Sequence, residues 1–347
     1  MGEKMSGEIL KNKKITVLGG GSFGTAIANM IASNGHPVTL WMRDAGNARH
    51  CMAVGENTRY LPGYKLDPNL QVSADIDAAL AGAEVVFFSI PSKAFRGVCR
   101  QVAGLIPPQT MVVSTVKGIE GESFSLMSEI LAEELDNPRI GVISGPNLAR
   151  EVAAREITAT VIASDEPAVC ETVQEILQTA FFRVYANSDR YGVELAGALK
   201  NIYAIAAGMA ASLEVGQNTV GVLITRSLAE MTRFAAHLGA DPMTFLGLSG
   251  VGDLFVTCAS DLSRNYRIGY ALGEGKSLEQ AIEEVGQVAE GVNTTRIVKQ
   301  KAEQLGINMP LASGLYDVMF KGGSLPRVLL RVMLSEQPDD VEFRVNS

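Results

Sequence analysis

The run Ile15-Thr16-Val17-Leu18-Gly19-Gly20-Gly21-Ser22-Phe23-Gly24-Thr25-Ala26 constrains the fold of this chain more than any other segment. A short β-branched stretch feeds a glycine turn, and an apolar helical pattern (Phe23, Ile27, Met30, Ile31) follows at once. This is the G-x-G-x-x-G arrangement in the strand–turn–helix setting that its mechanism requires. Gly19 permits the tight turn, Gly21 lets the backbone approach a pyrophosphate, and Gly24 lets helix and strand pack closely. Free N–H groups and the dipole at the helix start favour the phosphate charge. The expected fold class is therefore α/β, a doubly wound and mainly parallel Rossmann sheet at the N-terminal end.

With 347 residues the chain exceeds one ordinary core, so two domains are expected. Hydrophobic residues make up 47% and charged residues 20%, the balance of a globular protein. A formal charge of −8 argues against nucleic acid or an anionic membrane as the main partner, so any phosphate must be held by a few placed cations. Cys51, Cys99, Cys170 and Cys258 form no C-x-x-C pair, and His36, His50 and His237 are isolated, so no metal is expected. The polar start, Met1 to Lys14, lacks the apolar core of a signal peptide, and a cytoplasmic location is the expectation. The apolar window Leu195–Leu213 is rich in Ala and Gly and carries Lys200, Asn201 and Tyr203. It reads as a buried helix, not a membrane insertion.

Along the first half, strand and helix signals alternate. Strands are predicted at Ile15–Leu18, Pro37–Trp41, Val85–Ser89, Met111–Thr115 and Ile140–Ile143, with Thr158–Ala163 and Phe182–Tyr185 as candidates to extend the sheet. Wholly apolar runs such as Val85-Val86-Phe87-Phe88 mark strands covered on both faces. From about Tyr191 the strand signals stop and helical periodicity runs almost to Arg331. The predicted division is a dinucleotide-binding domain over 12–190, an all-helical substrate domain over 191–335, and a polar tail over 336–347.

Several positions are candidates for chemistry. At the end of the second strand, Met42 stands near the place where an acidic residue contacts the ribose of NAD, with Arg43 beside it. Arg43 suits a 2′-phosphate, favouring NADP(H), with NAD(H) the alternative if Asp44 makes the ribose contact and Arg43 is merely solvated. Lys200 is either a snorkelling surface lysine or a proton donor pointing into a cleft, its pKa lowered by burial. Ser263-Arg264-Asn265 opens a helical pattern; Ser263 reads equally as an ordinary N-cap or as part of a phosphate site built around Arg264. Thr115-Val116-Lys117-Gly118 and Ser144-Gly145-Pro146-Asn147 follow strands, where Rossmann ligands bind.

Taken in order, Gly-x-Gly-Ser22-Phe23-Gly-Thr-Ala, Lys117-Gly118, Ser144-Gly145-Pro146, Glu194-x5-Lys200-Asn201, Gly252-Asp253-Leu254-x-x-Thr257-Cys258 and Ser263-Arg264-Asn265 closely resemble the bacterial-type NAD(P)-dependent glycerol-3-phosphate dehydrogenases. The resemblance runs from about residue 14 to 330. It implies reversible hydride transfer between the nicotinamide and C2 of dihydroxyacetone phosphate, giving sn-glycerol 3-phosphate for phospholipid synthesis, and a homodimer. By the same resemblance Lys200 is the proton donor/acceptor, with Asp253 beside it. Lys117, Gly145, Asn147, Asp253, Ser263, Arg264 and Asn265 are the implied substrate contacts. Ser22, Phe23, Arg43, Lys117, Ala149, Arg264, Val288 and Glu290 are the implied cofactor contacts. Gly20 stands where that family usually has alanine, and Asn147 where serine or threonine is more usual.

The residue types fit the reaction. A ketone gains negative charge on oxygen as it is reduced, and an ammonium in reach both stabilises that charge and supplies the proton. A β-hydroxyacid or phosphogluconate-type dehydrogenase shares the Rossmann domain, the helical domain and a Lys-Asn pair. The Gly-Asp-Leu…Ser-Arg-Asn segment argues against it. A catalytically silent dinucleotide sensor would have little use for Lys117, Lys200, Asp253 and Arg264 together.

Overall fold

The computed structural model describes residues 12–136, 138–286 and 289–324. Eight strands form one sheet: β1 (Ile15–Leu18), β2 (Val38–Trp41), β3 (Leu70–Ser73), β4 (Val85–Phe88), β5 (Met111–Ser114), β6 (Arg139–Ser144), β7 (Thr158–Ala163) and β8 (Phe182–Asn187). Their order is β3-β2-β1-β4-β5-β6-β7-β8, and all pairs are parallel except β6 with β7. The strand order reverses between β1 and β4, so the switch-point crevice opens beside the glycine turn. Every residue of β1, β4 and β5 is buried, which explains their unbroken apolar runs. β3 was not anticipated. It lies at the sheet edge and reads Leu-Gln-Val-Ser, with only Leu70 fully buried, so it has no apolar run to betray it.

The helices α1 (Ser22–Ser33), α2 (Ala45–Val54), α3 (Ile76–Leu80), α4 (Ser92–Val102), α5 (Met127–Glu134), α6 (Ala149–Ala153) and α7 (Pro167–Leu177) accompany the sheet. Two apolar clusters cover its faces: Ile27, Ile31, Leu40 and Phe87 sit in one, and Leu18, Phe88, Phe95 and Val112 in the other. The glycine turn has the geometry its sequence requires. Gly19 holds φ +117°, and a Cβ there would come 2.3 Å from the Ser89 carbonyl oxygen; one on Gly24 would come 2.0 Å from that of Gly19. Only glycine fits both places. A Cβ at Gly20 would meet the Met42 side chain at 2.4 Å, so the methionine fills the space beside this glycine.

After β8 the chain is helical: α8 (Arg190–Ser212), α9 (Gln217–His237), α10 (Asp253–Ala259), α11 (Arg264–Gly273), α12 (Leu278–Val285), α13 (Glu290–Leu305) and α14 (Pro310–Lys321). Long α8 is the axis of this half, with Leu195, Leu199, Ile202, Tyr203 and Ile205 fully buried. Gly208 and Gly269 let α8 and α11 meet backbone to backbone; a Cβ on either would come 1.9 Å from a carbonyl oxygen of the other helix. Among the described residues no helix is long and apolar enough to cross a membrane. The predicted polar tail over 336–347 lies outside the described residues.

Candidate active site

Lys200 lies at the middle of α8 and is 6% exposed. Its ammonium donates to Asp253 Oδ1 at 2.5 Å and to Thr257 Oγ1 at 2.5 Å. It therefore points inward, and the snorkelling alternative is excluded. Asp253 is 1% exposed and is the first residue of α10, which continues directly from a π-helical turn over Leu248–Gly252. Its second oxygen, Oδ2, accepts from Lys117 Nζ at 2.7 Å, and Lys117 also donates to the Gly145 carbonyl at 2.8 Å. One carboxylate thus bridges two ammonium groups, one carried by the helical half and the other by the loop after β5. Each ammonium has three N–H donors. Two on each lysine are engaged, which leaves one on each for a further acceptor.

Electrostatics tune this cluster. Burial pushes the Lys200 ammonium down to about 8; the Asp253 charge opposes that shift and the Lys117 charge adds to it. The result is an amine that gives up its proton more readily than an ordinary lysine, as a proton donor and acceptor requires. Thr257 stands in the Gly-Asp-Leu-x-x-Thr-Cys motif, whose residue types alone give it no role. It lies one helical turn after Asp253 and donates to the Asp253 backbone carbonyl at 2.6 Å, which aims its oxygen at Lys200. Small neighbours make the approach possible: a Cβ at Gly197 would meet Ser144 Oγ at 2.4 Å.

A chain of side-chain amides joins the lysines to the rest of the candidate residues. Asn201 Nδ2 donates to the Lys117 carbonyl at 3.1 Å, Asn265 Nδ2 donates to Asn201 Oδ1 at 2.9 Å, and the Gly291 N–H donates to Asn265 Oδ1 at 3.0 Å. Both ends are backbone groups of fixed polarity, so both amide orientations are determined. Next to Asn265, Arg264 opens α11. It is solvent-exposed, yet enough protein surrounds it that desolvation pulls its guanidinium below the usual arginine value, against the opposing Glu290 charge. Next to Gly291, Glu290 accepts from Ser92 N at 3.0 Å and from Ser92 Oγ at 2.5 Å, capping α4 from the helical half. Ser92 was not among the sequence candidates; a serine following Pro91 at a helix start was its only signal.

Several other candidates have partners within the fold. Ser263 is an N-cap: its oxygen accepts from Tyr266 N at 3.3 Å. Asn147 is turned to β7, donating to the Ala159 carbonyl at 2.9 Å and accepting from Thr160 Oγ1 at 2.7 Å. It supports the Gly145-Pro146 turn from behind. Ser22 donates to the Tyr60 carbonyl at 2.6 Å, and Phe23 and Ala149 are half-buried near the N-termini of α1 and α6. Val288 lies outside the described residues. At the other end of the cofactor crevice, Asp44 caps α2 through Asn47 N at 3.0 Å and pairs with Arg59 at 3.2 Å, whereas Arg43 is exposed.

The model of the N-terminal region of the NAD-dependent glycerol-3-phosphate dehydrogenases matches residues 14–170, and that of their C-terminal region matches residues 189–329. The chain belongs to this family. A glycerol-3-phosphate dehydrogenase [NAD(P)+] of Teredinibacter turnerae is 57% identical over 331 residues, covering 95% of this chain and 97% of that protein. One from Azotobacter vinelandii is 55% identical over 335 residues, covering 96% of this chain and 98% of its own. Among solved structures, the glycerol-3-phosphate dehydrogenase of Coxiella burnetii superposes with a TM-score of 0.90 at 37% identity, over 93% of this chain and 99% of that one. Family membership makes this chain an oxidoreductase with a Rossmann domain.

Proposed function

We propose that the chain reduces dihydroxyacetone phosphate reversibly to sn-glycerol 3-phosphate, with NADPH preferred and NADH accepted. The observation that carries this reading is the pair of ammonium groups on one buried carboxylate, each with an N–H to spare. A carbonyl oxygen seated between them receives two charge-assisted hydrogen bonds as its negative charge develops. The names of the relatives support the substrate and the cofactor pair.

The residues present fit a dinucleotide. A Cβ built on Gly21 meets nothing within 4 Å, and no side chain caps α1, so the first N–H groups of that helix face an open cradle. Arg43 supports the preference for a 2′-phosphate, because the competing Asp44 is occupied with its own helix and Arg59. When bound, the reduced nicotinamide supplies hydride to C2. Lys200 gives its proton from Nζ to the ketone oxygen, and the C=O bond becomes C–OH. In the reverse direction neutral Lys200 takes that proton back. Lys117 holds the same oxygen, and Asp253 keeps both ammonium groups from repelling each other apart. Arg264 binds the substrate phosphate, converting remote binding energy into placement of C2. Supply of glycerophospholipid synthesis, a homodimer and a cytoplasmic setting belong to the same reading.

Arg264→Ala tests the phosphate assignment. The KM for dihydroxyacetone phosphate is expected to rise by about 10- to 100-fold, the worth of one charge-assisted contact, while the KM for NADPH changes little. An effect confined to NADPH would overturn the assignment.

A further inference from the structure

The loop that carries Lys117 does not end at the lysine. Ile119 and Leu126 form an antiparallel bridge, the Glu120 N–H donates to the Ser125 carbonyl at 2.9 Å, and the Phe124 N–H donates to the Glu120 carbonyl at 3.0 Å. Residues 119–126 are therefore a closed hairpin between β5 and α5. Its apolar members leave the Rossmann half. Ile119 (1% exposed) and Leu126 (0%) belong to the core built around α8, and Phe124 packs on that same core. The Phe124 ring meets Phe234 of α9 edge-on at 6.0 Å, with Lys301 Nζ of α13 at 5.3 Å from its centroid.

Of the two carboxylates in the hairpin, Glu122 is exposed and Glu120 faces α4. Glu120 takes a two-pronged hydrogen bond from Arg96 of α4, at 2.7 Å from Nε and 2.6 Å from Nη2. The same guanidinium holds Glu133 at 2.6 Å and Glu134 at 2.5 Å on α5. Planar, doubly bonded arginine contacts fix position as well as charge. Phe124 has φ +63°, a conformation that a bulky side chain occupies only where its surroundings force it. A strained, doubly anchored hairpin is excessive for a plain connection. It is what is needed where a lysine from one half must meet a carboxylate from the other to within hydrogen-bond distance.

We propose that the 119–126 hairpin is a strut that sets Lys117 against Asp253, with Arg96 and Phe124 as positioning residues for the reduction. This rests on the function proposed above. Arg96 touches no reacting atom. It acts on Glu120, and Glu120 sits three residues after Lys117, with Gly118 between them wedged against Ser92, where a Cβ would come 2.6 Å from the serine Cβ.

The test is a double-mutant cycle of Arg96→Lys with Lys117→Met. Lysine keeps the charge of Arg96 but loses its fork. In the native background Arg96→Lys is expected to lower kcat/KM for dihydroxyacetone phosphate about tenfold, the cost of a modest misplacement, with NADPH affinity unchanged. In the Lys117→Met background the same change is expected to do almost nothing, since the group it positions is gone. Phe124→Leu, a milder core change, is expected to behave in the same way. No loss in the native background, or equal losses in both, would overturn the proposal. Amide hydrogen exchange separates this from the activity reading. Faster exchange over residues 117–126 in Arg96→Lys supports the strut even if the native chain leaves dihydroxyacetone phosphate untouched, and unchanged exchange there contradicts it whatever the substrate.

Discussion

Replacing Lys200 with alanine is expected to lower kcat for the reduction of dihydroxyacetone phosphate by about 10²- to 10⁴-fold, the range that a positioned general acid contributes, with NADPH binding intact. Lys200 is buried, and its ammonium is the donor whose burial-lowered pKa of about 8 matches the task. Lys117 remains after the change and still pairs with Asp253 at 2.7 Å, so some stabilisation of the oxygen survives without a matched proton source. The KM for the substrate should therefore move far less than kcat. Lys200→Met, which fills more of the space, guards against a packing artefact. Both variants should lose turnover alike, and near-native turnover in either contradicts the role.

The second large effect is expected from Asp253→Asn. This leaves two ammonium groups around a neutral amide in a buried site, and breaking such a pair is more damaging than never having built it. A loss in kcat of about 100-fold is expected, comparable to removing one preorganised electrostatic group. The pH profile gives the sharper readout. Reduction needs protonated Lys200, so its rate in the native enzyme falls as pH rises through about 8, and oxidation of glycerol 3-phosphate gains over the same interval. The Asp253 charge raises the Lys200 pKa, so its removal lowers that value further. Both limbs should then move to lower pH. Unmoved limbs in a folded Asp253→Asn protein would show that Lys200 is not the titrating group.

How much of this was legible in the residues differs from place to place. The β1–turn–α1 unit could be read almost to the residue, because buried parallel strands are written as apolar runs and a phosphate turn needs glycine where Gly19 and Gly24 stand. The edge strand β3 was not legible, because half-exposed edges carry no such run, and nothing in β7 announces that it runs antiparallel to β6. In the site, the residue types were readable and their directions were not. Lys200 on an Ala- and Gly-rich helix is compatible with solvent or cleft until Asp253, 53 positions later, is seen to receive it. Ser263 and Asn147 read as ligand contacts in one dimension, and only the fold adds that their side chains also serve the backbone of a helix and of a neighbouring strand. The Arg96–Glu120 fork had no sequence signature, since ordinary charges on a helix and a loop become a joint only when the sheet brings them together.

The reaction is tested most directly by NADPH consumption by the purified chain, followed at the reduced-nicotinamide absorbance, with dihydroxyacetone phosphate offered in one experiment and a 2-oxo acid in another. Rapid oxidation of NADPH with the phosphorylated ketone, formation of sn-glycerol 3-phosphate in equal amount, and no reaction with the acid are expected. Oxidation driven by the oxo acid while dihydroxyacetone phosphate stays inert would contradict the proposed reaction.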